Sequence, residues 1–381
     1  MAIDKIGSAA ITDSAVTSAK VASGVLQPNF RNIIINGDMS IAQRATSVTG
    51  VGNGDNSCHT VDRLSFYEEG ATSGEFTMSQ ENDVPTGQGF SKSTKLDCTT
   101  ADTSLAAAEV IALEYKFEGL MLQYLKKGTS NAESLTLSFW VKTNKTGTYV
   151  ANFYDNDNDR HTSQNYTVSS ADTWEKKTIT FAADTSGTLT NDNTLALAMY
   201  FILGAGTSYT SGSAATAWET FTGNAANWAG GQTVNLLDNT SNEFYITGVQ
   251  LEAGTAASDF EFLPFDVNLA RCQRYYYLHA EGNAKSLGRG GYYSSSQAEF
   301  SLFPPVLMRA NPSLEIVTGT DYYIVYRNGG GDTLNSFTLN TESTKEAVSM
   351  LNNSEASGTA GHAAHFVTNN GSSKIALSSE L

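Results

Sequence analysis

Apolar and polar residues alternate in run after run of this sequence, and that pattern constrains the fold more than any other feature. In Leu135-Thr136-Leu137-Ser138-Phe139-Trp140-Val141-Lys142 the odd positions are apolar and the even positions, apart from Trp140, are polar. Successive side chains of a β-strand point to opposite faces, so this is the pattern of a half-buried strand. Further strands are predicted at residues 148–154, 176–181, 195–203 and 243–251, without amphipathic helices between them. Residues 31–264 are therefore predicted to form a sandwich of antiparallel sheets.

One segment fits two kinds of secondary structure. Residues 106–127 carry apolar side chains near helical spacing. The part from Val110 to Tyr115 also has the composition of a strand. The sequence leaves helix and strand open here.

The first 30 residues contain a short internal repeat. Apolar residues fall five positions apart at Met1, Ile6, Ile11, Val16, Val21 and Leu26. Five is the period of neither a strand nor an α-helix, and the small, polar residues between give an isolated chain little to bury. We interpret residues 1–30 as a narrow stalk or virion-attachment segment that is ordered by copies of itself or by a larger assembly; the alternative is a flexible leader with accidental spacing.

Two further regions complete the predicted all-β organisation. Residues 31–44 form a β-branched run broken by the turn signal Asn36-Gly37, which predicts a strand, a turn and a second strand. Residues 265–381 are predicted to form a second, small C-terminal β-domain. That domain is expected to open with a short helix running into a strand near residues 268–277, and to include a strand at residues 321–326.

The charge of the chain excludes one class of partner. With 39 acidic and 23 basic residues, the net charge is −16 over 381 residues. Attraction to nucleic acid or to an anionic membrane surface is not expected for such an acidic protein.

Three sequence features indicate the cellular compartment in which the protein is made. It shows no secretory signal pattern and no apolar run of about 18 residues, so neither a cleaved leader nor membrane insertion is expected. Cys58, Cys98 and Cys272 are odd in number and widely spaced, which supports neither a disulfide framework nor a cysteine zinc site. Synthesis in a reducing cytoplasm fits these features best.

Two stretches resemble bacteriophage tail-fibre and related virion proteins. They are Asn32-Ile33-Ile34-Ile35-Asn36-Gly37-Asp38-Met39-Ser40-Ile41-Ala42-Gln43-Arg44 and the pair formed by residues 249–254 and 270–276. The stalk-like leader resembles segments that precede receptor-binding parts of such fibres. The resemblance implies a homotrimeric virion appendage that is made in the bacterial host and attached to other virion proteins through residues 1–30.

A second resemblance concerns the middle of the chain. Residues 138–142, 147–149 and 173–181 look like carbohydrate-binding modules with a jelly-roll fold. The sandwich is accordingly expected to be jelly-roll-like, and host surface polysaccharide is the expected ligand.

Three tryptophans are the candidate glycan-binding residues. Sugar recognition uses an aromatic face against the apolar side of a pyranose, with polar groups nearby for the hydroxyls. Trp140 shares the polar side of its strand, so its indole is expected to face outward; the alternative is that this face packs against a neighbouring domain or subunit. Trp218 and Trp228 lie in an irregular insertion between residues 204 and 234, which is either a recognition loop or an inter-subunit plug.

The acidic run Asp155-Asn156-Asp157-Asn158-Asp159 is the weak candidate for a metal site. Its three carboxylates at alternate positions suit a hard cation such as calcium. Arg160 stands where an EF-hand has glycine, and no glutamate occupies the twelfth position, so the EF-hand motif is excluded. A solvated acidic turn is the alternative interpretation, and no cofactor is otherwise expected.

No enzyme motif is found in the sequence. A nucleophile elbow, a phosphate-binding glycine loop and a dinucleotide fingerprint are all missing. The chain is therefore predicted to be non-enzymatic: a short tail fibre that attaches the virion to host surface glycans. The alternatives are a capsid or tail decoration or adaptor protein and a glycan depolymerase whose paired carboxylates meet only in space.

Overall fold

The computed structural model describes residues 30–223 and 225–381. The predicted stalk, apart from residue 30, therefore lies outside the described residues. The all-β prediction is confirmed, with 42% of the described residues in strands and 5% in helices.

The described strands are β1 Ser47–Gly52, β2 Ser65–Glu69, β3 Glu75–Glu81, β4 Ser93–Thr100, β5 Val110–Glu118, β6 Leu135–Thr143, β7 Gly147–Asp155, β8 Arg160–Val168, β9 Glu175–Phe181, β10 Leu195–Ala205, β11 Glu219–Thr220, β12 Glu243–Ala253, β13 Tyr276–Glu281, β14 Ser286–Ser294, β15 Gln297–Leu302, β16 Ser313–Val317, β17 Tyr323–Arg327, β18 Gly330–Leu334, β19 Thr338–Leu339, β20 Val348–Asn352, β21 Ala363–Thr368 and β22 Lys374–Ser378. The described α-helices are α1 Thr207–Thr210 and α2 Phe265–Gln273.

The first domain is a sandwich of two six-stranded antiparallel sheets. Sheet 1 has the strand order β1-β3-β4-β12-β6-β9, and sheet 2 has the order β11-β8-β7-β10-β5-β2. Alternate residues of each strand meet in one hydrophobic core between the sheets. Phe139 of β6, for example, contacts Phe201 of β10 with ring centroids 4.9 Å apart. The alternation of β6 is thus the signature of one face turned to this core.

The segment that the sequence left open between helix and strand is a strand. β5 pairs with β10 on one side and β2 on the other, and only Lys116 within it is more than marginally exposed. A strand that is buried on both faces loses the polar–apolar alternation, which is why its pattern also suits a buried helix. Two short 3-10 turns, Gly119–Met121 and Gln123–Leu125, follow it.

The predicted strand–turn–strand at residues 31–44 is wrong, because the segment is irregular and largely buried against the edge of the sandwich. Asn36 and Met39 adopt left-handed backbone angles, with φ of 62° and 59°, which lie outside the extended region of a regular strand and are uncommon for residues other than glycine. The Asn36 side chain replaces strand pairing: it donates to the carbonyls of Ile41 and Asp62 at 2.9 and 3.0 Å and accepts from the Ile41 N–H at 2.9 Å.

Residue 37 must be glycine for this segment to fit. A Cβ on Gly37 would lie 2.0 Å from the Val249 carbonyl oxygen of β12. Nearby, Asn32 donates to that carbonyl at 3.2 Å and accepts from the Leu251 N–H at 3.1 Å. The buried Asn32 amide and two backbone hydrogen bonds, from the Ile33 N–H to the Leu251 carbonyl at 2.9 Å and from the Val249 N–H to the Gly37 carbonyl at 2.8 Å, therefore attach residues 31–44 to β12 without a regular strand pairing.

The second domain follows α2. The prediction of a short helix running into a strand is confirmed by α2 and β13. Sheet 3 has the order β13-β22-β16, and sheet 4 has the order β18-β17-β21-β14-β15-β20-β19. Buried side chains of both sheets share one core, in which Phe300, Phe337 and Phe366 contact one another.

Charged and aromatic side chains join the two domains. Glu380, beyond β22, pairs with Arg63 and Arg44 of the sandwich. The Arg63 guanidinium stacks 3.6 Å from the centroid of the Tyr275 ring, and that of Arg44 stacks 3.7 Å from the Tyr276 ring. The boundary between the two domains is therefore held by ion pairs and by stacking of guanidinium groups on tyrosine rings.

None of the helices in the described residues is long and apolar enough to span a membrane.

Candidate functional site

The outer face of sheet 1, which points away from sheet 2, presents aromatic and charged side chains side by side. In the register of the sheet, Trp140 of β6 lies opposite Lys176 of β9 on one side and Thr247 of β12 on the other. Lys142 lies opposite Tyr245 of β12. We call Trp140, Lys142, Trp174, Lys176 and Tyr245 the tryptophan face.

Trp174, Tyr245 and Lys142 form one cluster on this face. The rings of Trp174 and Tyr245 meet edge to face with centroids 6.2 Å apart. The Lys142 ammonium lies 4.2 Å from the centroid of Tyr245 and 5.8 Å from that of Trp174. Cation–π contacts hold the two rings and the ammonium in a fixed arrangement.

Carboxylates at the edge of the cluster stay ionised. Asp83 accepts a hydrogen bond from the Trp174 indole N–H at 2.9 Å and pairs with Lys142. Burial alone would raise the pKa of Asp83, but these hydrogen bonds lower it below its usual value. Glu243 behaves in the same way, because the hydrogen bond from Lys95 at 2.6 Å outweighs burial and lowers the pKa of the glutamate. The face thus carries fixed charges of both signs beside its rings.

Trp140 is half-buried, and its indole N–H donates no hydrogen bond to any residue in the described part of the chain. Gly248, with φ of 62°, lies beside it in β12. A Cβ there would stand 3.1 Å from Trp140 Cδ1 and 2.6 Å from Phe90 Cζ, so glycine leaves room for the two rings. Trp140 therefore offers both an aromatic surface and an unused donor to solvent.

Trp218 lies elsewhere, at the end of sheet 2. Its indole N–H donates to the Ala182 carbonyl at 2.9 Å, and the Lys127 ammonium lies 4.7 Å from its ring centroid. Lys127 in turn pairs with the buried carboxylates of Asp155 and Asp184. Trp218 thus covers a buried ionic cluster.

Trp228 is 6% exposed and packs on the outer face of sheet 2. Its ring contacts Tyr200 at 5.4 Å, Phe221 at 4.9 Å and His161 at 5.5 Å between centroids. Asn152 of β7 donates to the Trp228 carbonyl at 2.9 Å. The insertion that carries Trp228 is therefore folded down onto sheet 2, and the structure does not bring the three predicted tryptophans together.

The three aspartates of the acidic run turn to separate partners. Asp155 pairs with Lys127, Asp157 accepts from the Thr190 N–H at 2.8 Å, and Asp159 accepts from the Tyr154 hydroxyl at 2.6 Å. Burial raises the pKa of Asp155 although Lys127 opposes it. In the residues that the structure describes, no group of three or more His, Cys, Asp or Glu side chains is placed to hold a metal ion.

Sequence reasoning missed Trp174 and Tyr245 as site residues. One signal was present: Trp174 immediately precedes β9 and is two positions before Lys176, so the alternation of an extended chain places both side chains on the same side. The remaining neighbours depend on the pairing of strands that are distant in sequence. This pairing places Lys176 beside Trp140 and brings Tyr245 of β12 to the same face.

Comparison with known proteins gave structural similarities alone. No protein-family model and no curated protein matches the sequence. Among solved structures, the enzymatically active domain of tailspike protein 4 of bacteriophage CBA120 is similar over 54% of this chain and 21% of its own, with 14% identity and a TM-score of 0.28.

Two carbohydrate-binding domains are similar as well. A family 11 carbohydrate-binding module of a Clostridium thermocellum cellulosomal cellulase matches 55% of this chain and 99% of its own, with 11% identity and a TM-score of 0.28. A xylan-binding domain from Paenibacillus barcinonensis matches 55% of this chain and 95% of its own, with 13% identity and a TM-score of 0.24. TM-scores this low carry no argument about function.

Proposed function

We propose that the sandwich binds glycans through the tryptophan face. The observation that carries this proposal is a pair of half-exposed tryptophans, Trp140 and Trp174, on one sheet face. The largely buried ring of Tyr245 lies beside Trp174, and fixed ammonium and carboxylate groups lie next to these rings. Aromatic faces stack on the apolar side of a pyranose, and the charged groups hydrogen-bond with its hydroxyls. The same groups serve a flat, extended sugar chain better than a small molecule, because they spread over three neighbouring strands.

We further propose the setting in which this binding acts. The resemblance of residues 32–44 and of residues 249–254 and 270–276 to tail-fibre proteins supports a role as a bacteriophage virion protein, most simply a short homotrimeric tail fibre that attaches to host surface glycans. Residues 1–30 would join it to other virion proteins. Three copies multiply weak sugar contacts into firm attachment.

The protein is proposed to bind without cleaving. A depolymerase would release reducing ends from host envelope polysaccharide during extended incubation. Release that depends on the folded protein would overturn this part of the proposal and leave the binding part standing.

The binding proposal is tested with the double substitution Trp140→Ala and Trp174→Ala. We expect at least a tenfold loss of affinity for host envelope polysaccharide in isothermal titration, which corresponds to about 1.4 kcal/mol. Loss of two stacking surfaces is sufficient for an effect of that size.

The matched control is Tyr154→Ala with Phe221→Ala, two half-exposed aromatics on the outer face of sheet 2. The control is expected to keep wild-type affinity. Unchanged affinity in the tryptophan variant, with the same thermal unfolding as wild type, would overturn the proposal. A variant that fails to assemble, judged by sedimentation, would instead identify the face as a subunit interface and favour a decoration protein.

A further inference from the structure

A second groove lies in the C-terminal domain, on sheet 4. It has a volume of about 350 Å³ and runs over Gly290 and Gly291 of β14, with β15 and Phe303 beside it. This size is at the low end for small-ligand sites and suits one or two sugar units. Nothing in the proposed role of the tryptophan face involves it.

The floor of the groove is bare backbone for a physical reason. A Cβ on Gly290 would lie 2.0 Å from the Glu299 carbonyl oxygen, and one on Gly291 would lie 2.9 Å from the His362 carbonyl oxygen. Adjacent strands approach this part of β14 so closely that only glycine fits at residue 290. The consequence is a flat strip of peptide between taller side chains.

Two aromatic side chains flank that strip. Tyr293 is 73% exposed and Phe303 is 70% exposed, and both line the groove. They are the most exposed large hydrophobic side chains in the described part of the chain. Large apolar side chains held this far out of the core at one place mark binding surfaces.

The charged groups of the groove are available to a ligand. Arg289 forms neither an ion pair nor a side-chain hydrogen bond with any described residue, although it lies in register with His365 of β21. Glu299 accepts one hydrogen bond, from the Gln297 amide at 3.1 Å, which leaves acceptor capacity on its carboxylate. The hydroxyl-bearing residues Ser301 and Ser349, paired across β15 and β20, also line the groove.

We propose that this groove binds an acidic sugar residue, such as a uronic acid unit of a surface polysaccharide. The ring lies over Gly290 and Gly291 between Tyr293 and Phe303. Arg289 pairs with the sugar carboxylate, because a guanidinium presents two parallel donors that match a carboxylate. Glu299 and the serine hydroxyls take the sugar hydroxyls. The acidic chain would thus recognise an anionic ligand through one locally unpaired cation rather than through its net charge.

The test uses the full chain and trigalacturonate as the probe, with neutral galactotriose for comparison. Isothermal titration is expected to show binding of trigalacturonate at least tenfold tighter than of galactotriose. Arg289→Gln should remove that preference, and Tyr293→Ala should weaken trigalacturonate binding at least tenfold. Raising the salt concentration should weaken the acidic probe alone.

Matched controls separate this site from general effects. Lys285→Gln removes an exposed positive charge from the turn before β14, and Phe265→Ala removes a phenylalanine that is 63% exposed on α2. Both are expected to bind trigalacturonate as the wild type does. Equal loss in Lys285→Gln and Arg289→Gln would reduce the effect to overall charge and overturn the site.

Trigalacturonate binding at the groove is expected to be independent of glycan binding at the tryptophan face. The Trp140→Ala, Trp174→Ala variant is expected to keep trigalacturonate binding even if it loses polysaccharide binding. Loss of trigalacturonate in that variant, with Arg289→Gln unaffected, would overturn this inference. A change of oligomeric state in Tyr293→Ala, with affinity unchanged, would overturn it too and identify the aromatic pair as a contact between copies.

Discussion

The two domains differ in what covers the outer faces of their sheets. In the sandwich, sheet 2 is overlaid by the insertion that carries Trp228, and part of sheet 1 is overlaid by the segments around Phe90 and Phe260, which leave the tryptophan face open. In the C-terminal domain, sheet 3 covers one face of sheet 4, and the aromatic groove lies in the open on that sheet. Similar strand patterns thus produce different surfaces, because insertions decide which outward side chains reach solvent.

The domains also differ in how they hold charge. Every buried acidic, basic or histidine side chain in the described residues lies in the sandwich, among them Glu114, Glu118, Lys127, Asp155 and His161. The C-terminal core, by contrast, buries polar side chains such as Asn352 and Thr368 that are neutral. The extra layers over the sandwich enclose groups that would otherwise lie at a sheet surface, and they need paired partners there. The sandwich should therefore respond more to loss of polar contacts and to pH.

The largest expected effect is that of Asn36→Ala. The substitution removes three buried hydrogen bonds: two fix the segment's own backbone at Ile41, and one attaches the segment to the Asp62 carbonyl. It leaves these backbone partners without replacements. We expect the free energy of unfolding to fall by about 4 kcal/mol, at about 1–3 kcal/mol for each unsatisfied group. Urea unfolding followed by tryptophan fluorescence measures it, since all four tryptophans lie in the sandwich.

The matched variant in the C-terminal domain is Asn352→Ala. The Asn352 side-chain oxygen accepts from the backbone N–H groups of Glu355 and Ala356, at 2.9 and 3.0 Å. Ala356 is buried, but Glu355 is half-buried and next to the exposed Ser354. Water therefore replaces part of what the Asn352 oxygen supplies, and we expect a smaller loss, of about 2 kcal/mol. An equal or larger loss than for Asn36→Ala would break the contrast between the domains.

An intermediate effect is expected for Glu380→Gln at the boundary. The change removes the carboxylate that pairs with Arg63 and Arg44. Arg44 keeps Asp62 at 3.9 Å, but Arg63, whose side chain is only 5% exposed, keeps no other ion pair in the described residues. We expect a loss of about 2–3 kcal/mol, because breaking a buried pair strands a charge. The transitions seen by tryptophan fluorescence and by far-ultraviolet circular dichroism should coincide in wild type and separate in the variant.

Glu342→Gln, an exposed glutamate of the C-terminal domain, is the control for this change. It should leave the two transitions coincident. Coincident transitions in Glu380→Gln as well would mean that other contacts, such as the pair of Arg274 with Glu118 at 2.6 Å, couple the domains.

The smallest expected effect is the pH dependence contributed by His161. Burial lowers its pKa, although Glu219, 3.2 Å away, opposes the shift. The unfolded chain then binds the proton more readily, so stability is full above about pH 6.5 and falls as the pH drops through the lowered pKa. His161→Gln should flatten the decline between pH 7 and pH 5, measured by thermal unfolding.

Asp62 titrates with the opposite sign in the same region. Burial raises its pKa to about 6, against hydrogen bonds from Gln43, so its contribution falls as the pH rises from about 4 to 6. Wild type and His161→Gln share the contribution of Asp62, so it cancels when the pH dependence of their unfolding temperatures is subtracted. His362→Gln in the C-terminal domain is the control, and an identical change of slope in both variants would contradict the assignment to His161.

The strands in which apolar and polar residues alternate could be predicted from the sequence. The short helix α2 and the strand β13 that follows it could be predicted as well. Residues 31–44 were not, because Asn36 and Asn32 satisfy backbone groups of Asp62 and Leu251 that lie far away in the chain. The outward direction of Trp140 followed from its place in β6. The burial of Trp228 could not be predicted from the residues around it. The insertion that carries it is attached to sheet 2 by a hydrogen bond from Asn152 of β7.

That this protein is built from antiparallel strands can be derived from its amino-acid sequence, because the alternation of apolar and polar side chains is a local property with a period of two residues. Which outward positions form surfaces depends on the tertiary structure. Trp174 and Tyr245 become neighbours through the pairing of β6 with β9 and β12, and Tyr293 and Phe303 flank one groove through the fold of sheet 4. Pairing between distant strands and the covering of sheet faces by insertions depend on the whole chain, and no single segment encodes them.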